Sequence, residues 1–194
     1  RKGITSGEGG VVTTSRSDLA AFVAKNLCFG VESALSRAGN NDLAVPQFTE
    51  IGYNYKLSDI ASAIANVQLD RLDDLVATRQ RIATQYIELL GSNELLTMPV
   101  ELAERTHPWQ SFVVTLAPHV QRGSVAQALR DQGIGCNIGT FACHVQPVYG
   151  SSDVCPVSAD IFEHHLAIPM HAELSESDVA IVAEALTSAV AAAV

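Results

Sequence analysis

Positively charged residues are scarce in this chain. Its 194 residues include 12 lysines and arginines against 21 aspartates and glutamates, which gives a formal net charge of -9. Binding to nucleic acid or to an anionic membrane surface needs clustered lysine and arginine. The composition therefore argues against nucleic acid and against a membrane surface as partners.

Long hydrophobic runs are also missing. The apolar stretches fall short of the roughly 20 residues that a membrane-spanning helix needs, and the Ala/Val-rich segment Ser188–Val194 is expected to be the tail of a helix. No signal peptide is recognisable, so we expect a cytoplasmic protein. Because the sequence starts at Arg1 rather than at methionine, we also expect that further residues precede it in the natural protein.

Only four cysteines are present, and no two of them have the Cys-x-x-Cys spacing. Cys143 stands next to His144, but its distance in sequence from Cys136 and Cys155 fits no common zinc site. We therefore expect no metal site and reduced thiols, as in most cytoplasmic proteins.

The rest of the composition, 47% hydrophobic and 17% charged, is that of an ordinary globular protein. Apolar periodicity predicts one helix capped by Ser17 and a second one capped by Ser58. After residue 92 the alternation of short strands and helices predicts a small α/β domain. A long helix over 72–90 precedes it, and its elements are a strand at 111–116, helices at 124–132 and 157–165, a strand or turn at 166–170 and a helix at 177–194.

A lysine precedes a glycine-rich segment at the start of the chain. Lys2 is followed by a short β-prone stretch, then by Gly7, Gly9 and Gly10 and by the β-branched run of residues 11–14. Two β segments around a glycine turn predict a hairpin. A lysine held at such a hairpin with few hydrating neighbours can act as a Schiff-base nucleophile. The alternative is an ordinary exposed lysine.

Asn54 and Lys56 lie just before the helix that Ser58 caps. Alternate residues of an extended segment point to the same side, so the two side chains can face one site while Tyr55 packs behind them. The alternative is a solvated loop followed by a helix cap.

Five segments occur in the order found in one enzyme family. They are Lys2-x-Ile-Thr-x-Gly-Glu-Gly-Gly10, Gly52-Tyr-Asn-Tyr-Lys-Leu-Ser-Asp-Ile60, His107-Pro-Trp-Gln-Ser-Phe-Val-Val114, His144-Val-Gln-Pro-Val-Tyr149 and Ile168-Pro-Met-His171. Together they make the chain resemble the pyridoxal-phosphate (PLP)-dependent sugar-nucleotide aminotransferases of the DegT/StrS family. The resemblance covers essentially the whole chain.

The resemblance implies an α/β fold, the carboxyl-terminal part of a fold-type-I PLP-dependent aminotransferase. Residues 1–70 would be a remnant of the large PLP-binding domain with a dimer-interface helix. Residues 71–194 would be a connecting helix and the small carboxyl-terminal α/β domain. The family's residues before the lysine, including the acid at the pyridine nitrogen and the ring-stacking aromatic residue, are absent from this sequence, so the chain by itself would be incomplete for catalysis.

The resemblance also assigns roles to six residues. Lys2 would bind PLP covalently and shuttle a proton during catalysis, and Asn54 would reach the cofactor phosphate of the partner in a homodimer with shared active sites. Lys56 stands where the family usually has arginine and would bind a carboxylate. The implied substrates are an amino-acid donor, glutamate, and a nucleotide-linked keto-sugar, and the implied substrate-binding residues are Lys56, His107, His144 and Tyr149.

Three histidines are interpreted as structural, namely His164, His165 and His171. Two other functions stay open: a PLP-dependent sugar dehydratase, against which Lys2 argues because those relatives carry histidine there, and a non-catalytic structural or interaction fragment of the same family.

Overall fold

The computed structural model describes residues 2–31, 46–150 and 152–194. The chain forms two compact units, one of residues 4–70 and the other of residues 71–194 together with the first three residues. The loop expected between residues 39 and 50 falls largely outside the described ranges. No helix within those ranges is both long and apolar enough to cross a bilayer.

In its described residues the first unit contains the helices α1 (Ser17–Asn26) and α2 (Asp59–Asp70). Ser58 caps α2 as predicted, because its hydroxyl accepts a hydrogen bond from the Ala61 N–H at 3.2 Å. The cap predicted for α1 was wrong by one residue. Arg16 precedes the helix in an extended conformation, and its guanidinium pairs with Asp18 in the first turn at 2.6 Å.

The hairpin predicted around the glycines is not formed. Among the described residues 2–16 there is no strand. Instead the Thr5 hydroxyl accepts from the Gly7 N–H at 3.1 Å, and the Ser6 hydroxyl donates to the Glu8 carbonyl at 3.0 Å. Short polar side chains that bond nearby backbone groups compete with a strand ladder. The glycines do supply left-handed backbone conformations, with φ of 87° at Gly7 and 139° at Gly9.

Two extended segments in the same unit pair through their backbones. The Tyr53 N–H donates to the Asn26 carbonyl at 2.7 Å, the Phe29 N–H donates to the Tyr53 carbonyl at 2.8 Å, and the Tyr55 N–H donates to the Leu27 carbonyl at 3.0 Å. This antiparallel bridge joins the end of α1 to the segment that carries Asn54 and Lys56.

The part of the second unit that the structure describes contains four α-helices and four strands, besides two short 3₁₀ turns. In chain order they are α3 (Leu72–Leu90), β1 (Leu96–Thr97), β2 (Phe112–Leu116), α4 (Arg122–Asp131), β3 (Asn137–Ile138), α5 (Pro156–His164), β4 (His165–Ile168) and α6 (Glu176–Ala192). The strands form one antiparallel sheet in the order β1-β2-β4-β3. The ends of α3, β2, α4, α5, β4 and α6 agree with the predicted ones to within about two residues, the usual uncertainty of helix boundaries. The short strands β1 and β3 were not predicted. The predicted helix at 177–194 begins earlier because Ser175 and Asp178 form a capping box.

The hydrophobic core lies in the second unit. Strand β2 alternates, with Phe112, Val114 and Leu116 buried on one face. Helix α6 packs against α3 and α4. Every described residue of the core cluster belongs to residues 82–193. In the first unit, α2 leaves the apolar side chains of Ile60, Ile64 and Val67 exposed.

Candidate functional site

A cleft of about 570 Å³ opens in the first unit between the glycine-rich segment and the start of α2. Its lining includes Glu8, Gly9, Lys56 and Ser58. A side-chain carbon at Gly9 would come within 2.7 Å of Leu57 Cδ1, and the φ of 139° also disfavours any other residue there. The glycine therefore keeps backbone, rather than side chains, along this part of the cleft.

The sequence contains three lysines, and their amines differ in what they contact. Lys25 Nζ pairs with Glu50 at 3.3 Å, and Lys56 Nζ donates to the side chain of Asn54. Within the part of the chain that the structure describes, the exposed Lys2 amine makes no hydrogen bond or ion pair. Of the three lysine amines, that of Lys2 is the one with no partner among the described residues.

Asn54 and Lys56 lie side by side, as the alternation of an extended segment predicts. The Lys56 amine donates to Asn54 Oδ1 at 2.5 Å and lies 3.8 Å from the centroid of the Phe29 ring. Tyr55 is on the other side, but it does not pack into an interior. Its ring is exposed and stacks on the Tyr53 ring, with centroids 4.9 Å apart.

His107 forms part of a tight turn. Its Nδ1 accepts from the Trp109 N–H at 2.9 Å, and its own backbone N–H donates to Glu101 at 2.7 Å. The ring also lies against the Trp109 ring, with centroids 4.2 Å apart. These contacts engage Nδ1 and the backbone N–H, and leave Nε2 as the ring nitrogen without a hydrogen bond among the described residues.

His144 and Tyr149 line one cavity of about 690 Å³ in the second unit. Two short 3₁₀ turns, Cys143–Val145 and Pro147–Tyr149, place them there, and Gly150 ends the second turn with φ of 52°. Phe141, Cys143 and Cys155 line the same cavity. A histidine, a phenol and an aromatic wall are groups that can bind a polar ring-shaped ligand.

The six predicted residues thus fall in several places. Asn54 is brought together with Lys56, and His144 with Tyr149. His107 belongs to the turn around Trp109, and Lys2 lines neither the cleft nor the cavity.

Among the described residues, no three His, Cys, Asp or Glu side chains come together in a cluster that could bind a metal ion. The four cysteines are free thiols, and burial raises the pKa of the Cys136 thiol. His164 pairs with Asp160 at 2.9 Å, and burial lowers the pKa of the neighbouring His165.

Two residues with important contacts were not singled out in the sequence. Phe29 supports Lys56, and its φ of 61° is unusual for a non-glycine residue. Arg79 is only 9% exposed and donates to the carbonyls of Trp109 and Gln110 at 2.9 and 3.0 Å. Arg79 stands among the apolar positions of α3, three residues before Ile82, and a charge in that stripe is a signal that could have found it. No sequence signal points to the conformation of Phe29.

Solved aminotransferase structures resemble this chain over nearly all of its length. PseC from Helicobacter pylori, an aminotransferase involved in the biosynthesis of pseudoaminic acid, matches with a TM-score of 0.87 and 20% identity over 98% of this chain and 51% of its own. The sugar aminotransferase CalS13 from Micromonospora echinospora matches with a TM-score of 0.83 and 22% identity, over 96% of this chain and 49% of the CalS13 chain. The aminotransferase TlmJ from Streptoalloteichus hindustanus matches with a TM-score of 0.80 and 26% identity, over 92% of this chain and 46% of the TlmJ chain. The chain spans about half the length of these structures.

The chain therefore has the predicted α/β fold, that of the carboxyl-terminal part of a fold-type-I PLP-dependent aminotransferase. The model of the DegT/DnrJ/EryC1/StrS aminotransferase family matches residues 1–187. The chain belongs to this family.

Proposed function

We propose that the chain supplies the carboxyl-terminal part of an enzyme that transfers an amino group from an amino acid, glutamate, to a nucleotide-linked keto-sugar. The observation that carries the proposal is the difference among the three lysines. Lys25 and Lys56 are engaged by neighbouring side chains, whereas Lys2, at the start of the family's lysine–glycine motif, has a free amine.

The residues present fit PLP. A free primary amine can condense with the aldehyde group of the cofactor, with loss of water. Asn54 offers a side-chain N–H₂ because its oxygen is taken by Lys56, and Lys56 adds a positive charge beside it. An amide donor next to an ammonium group suits a phosphate or a carboxylate. Asn54 would hold the phosphate, and when bound PLP supplies an electron sink for the substrate carbon.

In this proposal Lys2 has two tasks. It would hold the cofactor before the amino acid binds, and once released its amine would serve as the base and acid that takes the proton from the substrate carbon and returns it. Lys56 binds a carboxylate with a single charge rather than with the two-pronged geometry of arginine.

His144 and Tyr149 would bind the sugar substrate from their shared cavity, and His107 would take part through Nε2. The complete enzyme is proposed to be a cytoplasmic homodimer in which Asn54 serves the partner's site. Residues 1–70, which carry Lys2, would belong to the PLP-binding domain, and residues 71–194 would form the connecting helix and small domain.

The test is covalent labelling of the intact protein. Borohydride reduction in the presence of PLP is expected to attach the cofactor to the peptide that carries Lys2. Lys2→Arg should remove the label and lower turnover by roughly 10²- to 10⁴-fold, because the amine both binds and transfers protons. Lys25→Arg is the matched control, since the Lys25 amine is already paired with Glu50. This variant should keep both the PLP label and the turnover of the wild type.

A label on another residue, together with turnover by Lys2→Arg, would contradict the proposal. An intact protein that takes no label and shows no PLP absorbance would instead favour a non-catalytic member of the family.

A further inference from the structure

The Lys56 amine is held from two sides. On one side it donates to Asn54 Oδ1 at 2.5 Å, and on the other it lies 3.8 Å from the centroid of the Phe29 ring. A lysine has four rotatable side-chain bonds, so an exposed ammonium normally samples many positions. Two simultaneous contacts restrict it to one of them.

The backbone at Phe29 is arranged for this contact. Phe29 adopts a left-handed conformation with φ of 61°, which is unfavourable for a bulky aromatic residue. Strained conformations persist where the surrounding structure enforces them and often mark functional sites. Here the Phe29 N–H is bonded to the Tyr53 carbonyl at 2.8 Å, so the ring is tied to the segment that carries Asn54 and Lys56.

The ring remains open to solvent. Phe29 is 46% exposed and is absent from the hydrophobic core cluster. Burial therefore does not explain an aromatic residue at a strained position. Its contact with a cation does, because the face of an aromatic ring attracts an ammonium group.

We infer that Phe29 is a positioning residue: its ring holds the Lys56 amine against Asn54 so that the two side chains form a preorganised donor pair for an anionic group. With Oδ1 occupied by the Lys56 amine, the Asn54 N–H₂ is the group of this side chain that remains to donate beside the positive charge. The anion is the phosphate of the cofactor or the carboxylate of the amino donor, and this part of the inference rests on the proposed function.

The first arm of the test observes Lys56 directly and does not depend on activity. In intact protein labelled with ¹³C-lysine, the ring current of Phe29 should shift the Lys56 ε-methylene signal upfield, and Lys56→Arg assigns that signal by removing it. Phe29→Leu should abolish the shift, whereas Phe29→Tyr should keep it. Phe22→Leu is the matched control, because Phe22 is a similarly exposed phenylalanine on α1.

The second arm identifies the anion. Phe29→Leu is expected to raise either the dissociation constant of PLP or the KM for the amino donor about two- to fivefold, the size of an exposed cation–π contact. A rise in the PLP constant assigns the phosphate, and a rise in the donor KM with unchanged kcat assigns the carboxylate. Phe29→Tyr should restore the affected constant.

An unchanged Lys56 signal in Phe29→Leu would overturn the inference, and so would a lost shift with both binding constants unchanged. Either result is compatible with a reactive Lys2. Conversely, turnover without Lys2 would overturn the proposed function while the Lys56 signal still reported the Phe29 contact.

Discussion

At the scale of single residues, a buried hydroxyl that needs a hydrogen-bond partner lies in an aromatic cluster of the second unit. Tyr86 packs on Phe112, which in turn stacks on Trp109, and all three are almost fully buried. The Tyr86 hydroxyl finds a partner in the Pro169 carbonyl at 3.0 Å. Burial, and to a smaller extent the charge of Asp178, raises the pKa of Tyr86 well above its ordinary value.

We predict that Tyr86→Phe lowers the free energy of unfolding by about 1–2 kcal/mol at neutral pH, because the partly buried Pro169 carbonyl loses its donor. The measurement is chemical denaturation followed by the fluorescence of Trp109, the single tryptophan of the sequence. Tyr149→Phe serves as the control, since the exposed Tyr149 side chain is outside the core.

The same pair of proteins should differ in pH dependence. The pKa of Tyr86 is raised in the folded state. The contribution of its hydroxyl to the free energy of unfolding is therefore complete below the unfolded-state pKa of about 10 and is lost as the pH rises above that value. The wild type should therefore lose stability above about pH 10 faster than Tyr86→Phe does. Parallel pH profiles for the two proteins would mean that the pKa of Tyr86 is the same in the folded and unfolded states, which would contradict the prediction.

At the scale of elements, the bridge after α1 depends on two glycines that approach each other closely. A side-chain carbon at Gly30, which has φ of 74°, would lie 1.9 Å from the Glu50 carbonyl oxygen. One at Gly52 would lie 2.0 Å from the Gly30 nitrogen. Both contacts are with backbone atoms, which cannot move aside as a flexible side chain would. The bridge therefore tolerates no side chain at either position.

We predict that Gly30→Ala opens this bridge. Hydrogen exchange should show protection of the Phe29, Tyr53 and Tyr55 amides falling tenfold or more, because a left-handed φ and the close contact each oppose a side chain. Gly123→Ala is the matched control, since Gly123 lies in helix α4 with open space around it. Alanine at position 123 should leave the protection of the Phe29, Tyr53 and Tyr55 amides unchanged and raise the free energy of unfolding slightly. Equal protection in both variants would contradict the prediction.

At the scale of the whole molecule, the two units differ in how they bury apolar surface. The described core cluster lies wholly within residues 82–193. In residues 4–70 the side chains of Phe48, Ile51, Ile60, Ile64 and Val67 are exposed. Apolar surface of this kind marks interaction sites, in keeping with the proposal that these residues meet a partner protomer in a homodimer.

Sharing of active sites predicts complementation. A random mixture of Lys2→Ala and Asn54→Ala protomers of the intact protein should recover about a quarter of wild-type activity, because half of the dimers are mixed and each holds one site without lesions. Mixing Lys2→Ala with the double variant Lys2→Ala/Asn54→Ala is the control and should recover nothing. Absence of recovery in a verified mixed dimer would place Asn54 in its own chain's site.

Much of the second unit could be predicted because its apolar residues repeat at the periods of helices and strands. The helix over Leu72–Leu90 and the strand Phe112–Leu116 are examples in which local pattern and burial agree. The hairpin after Lys2 failed for the opposite reason. Its glycines and β-branched residues suit a turn between strands, but the Thr5 and Ser6 hydroxyls bond the backbone locally.

The sequence by itself determined the family and the α/β fold, because ordered motifs and apolar periodicity are local properties of the chain. It also determined that Asn54 and Lys56 share one side, since alternation is a property of any extended segment. Only the tertiary structure decided which lysines are engaged, that Phe29 lies against Lys56, and that Arg79 bonds the carbonyls beside Trp109. Such contacts join residues far apart in the sequence, and packing rather than local preference selects them.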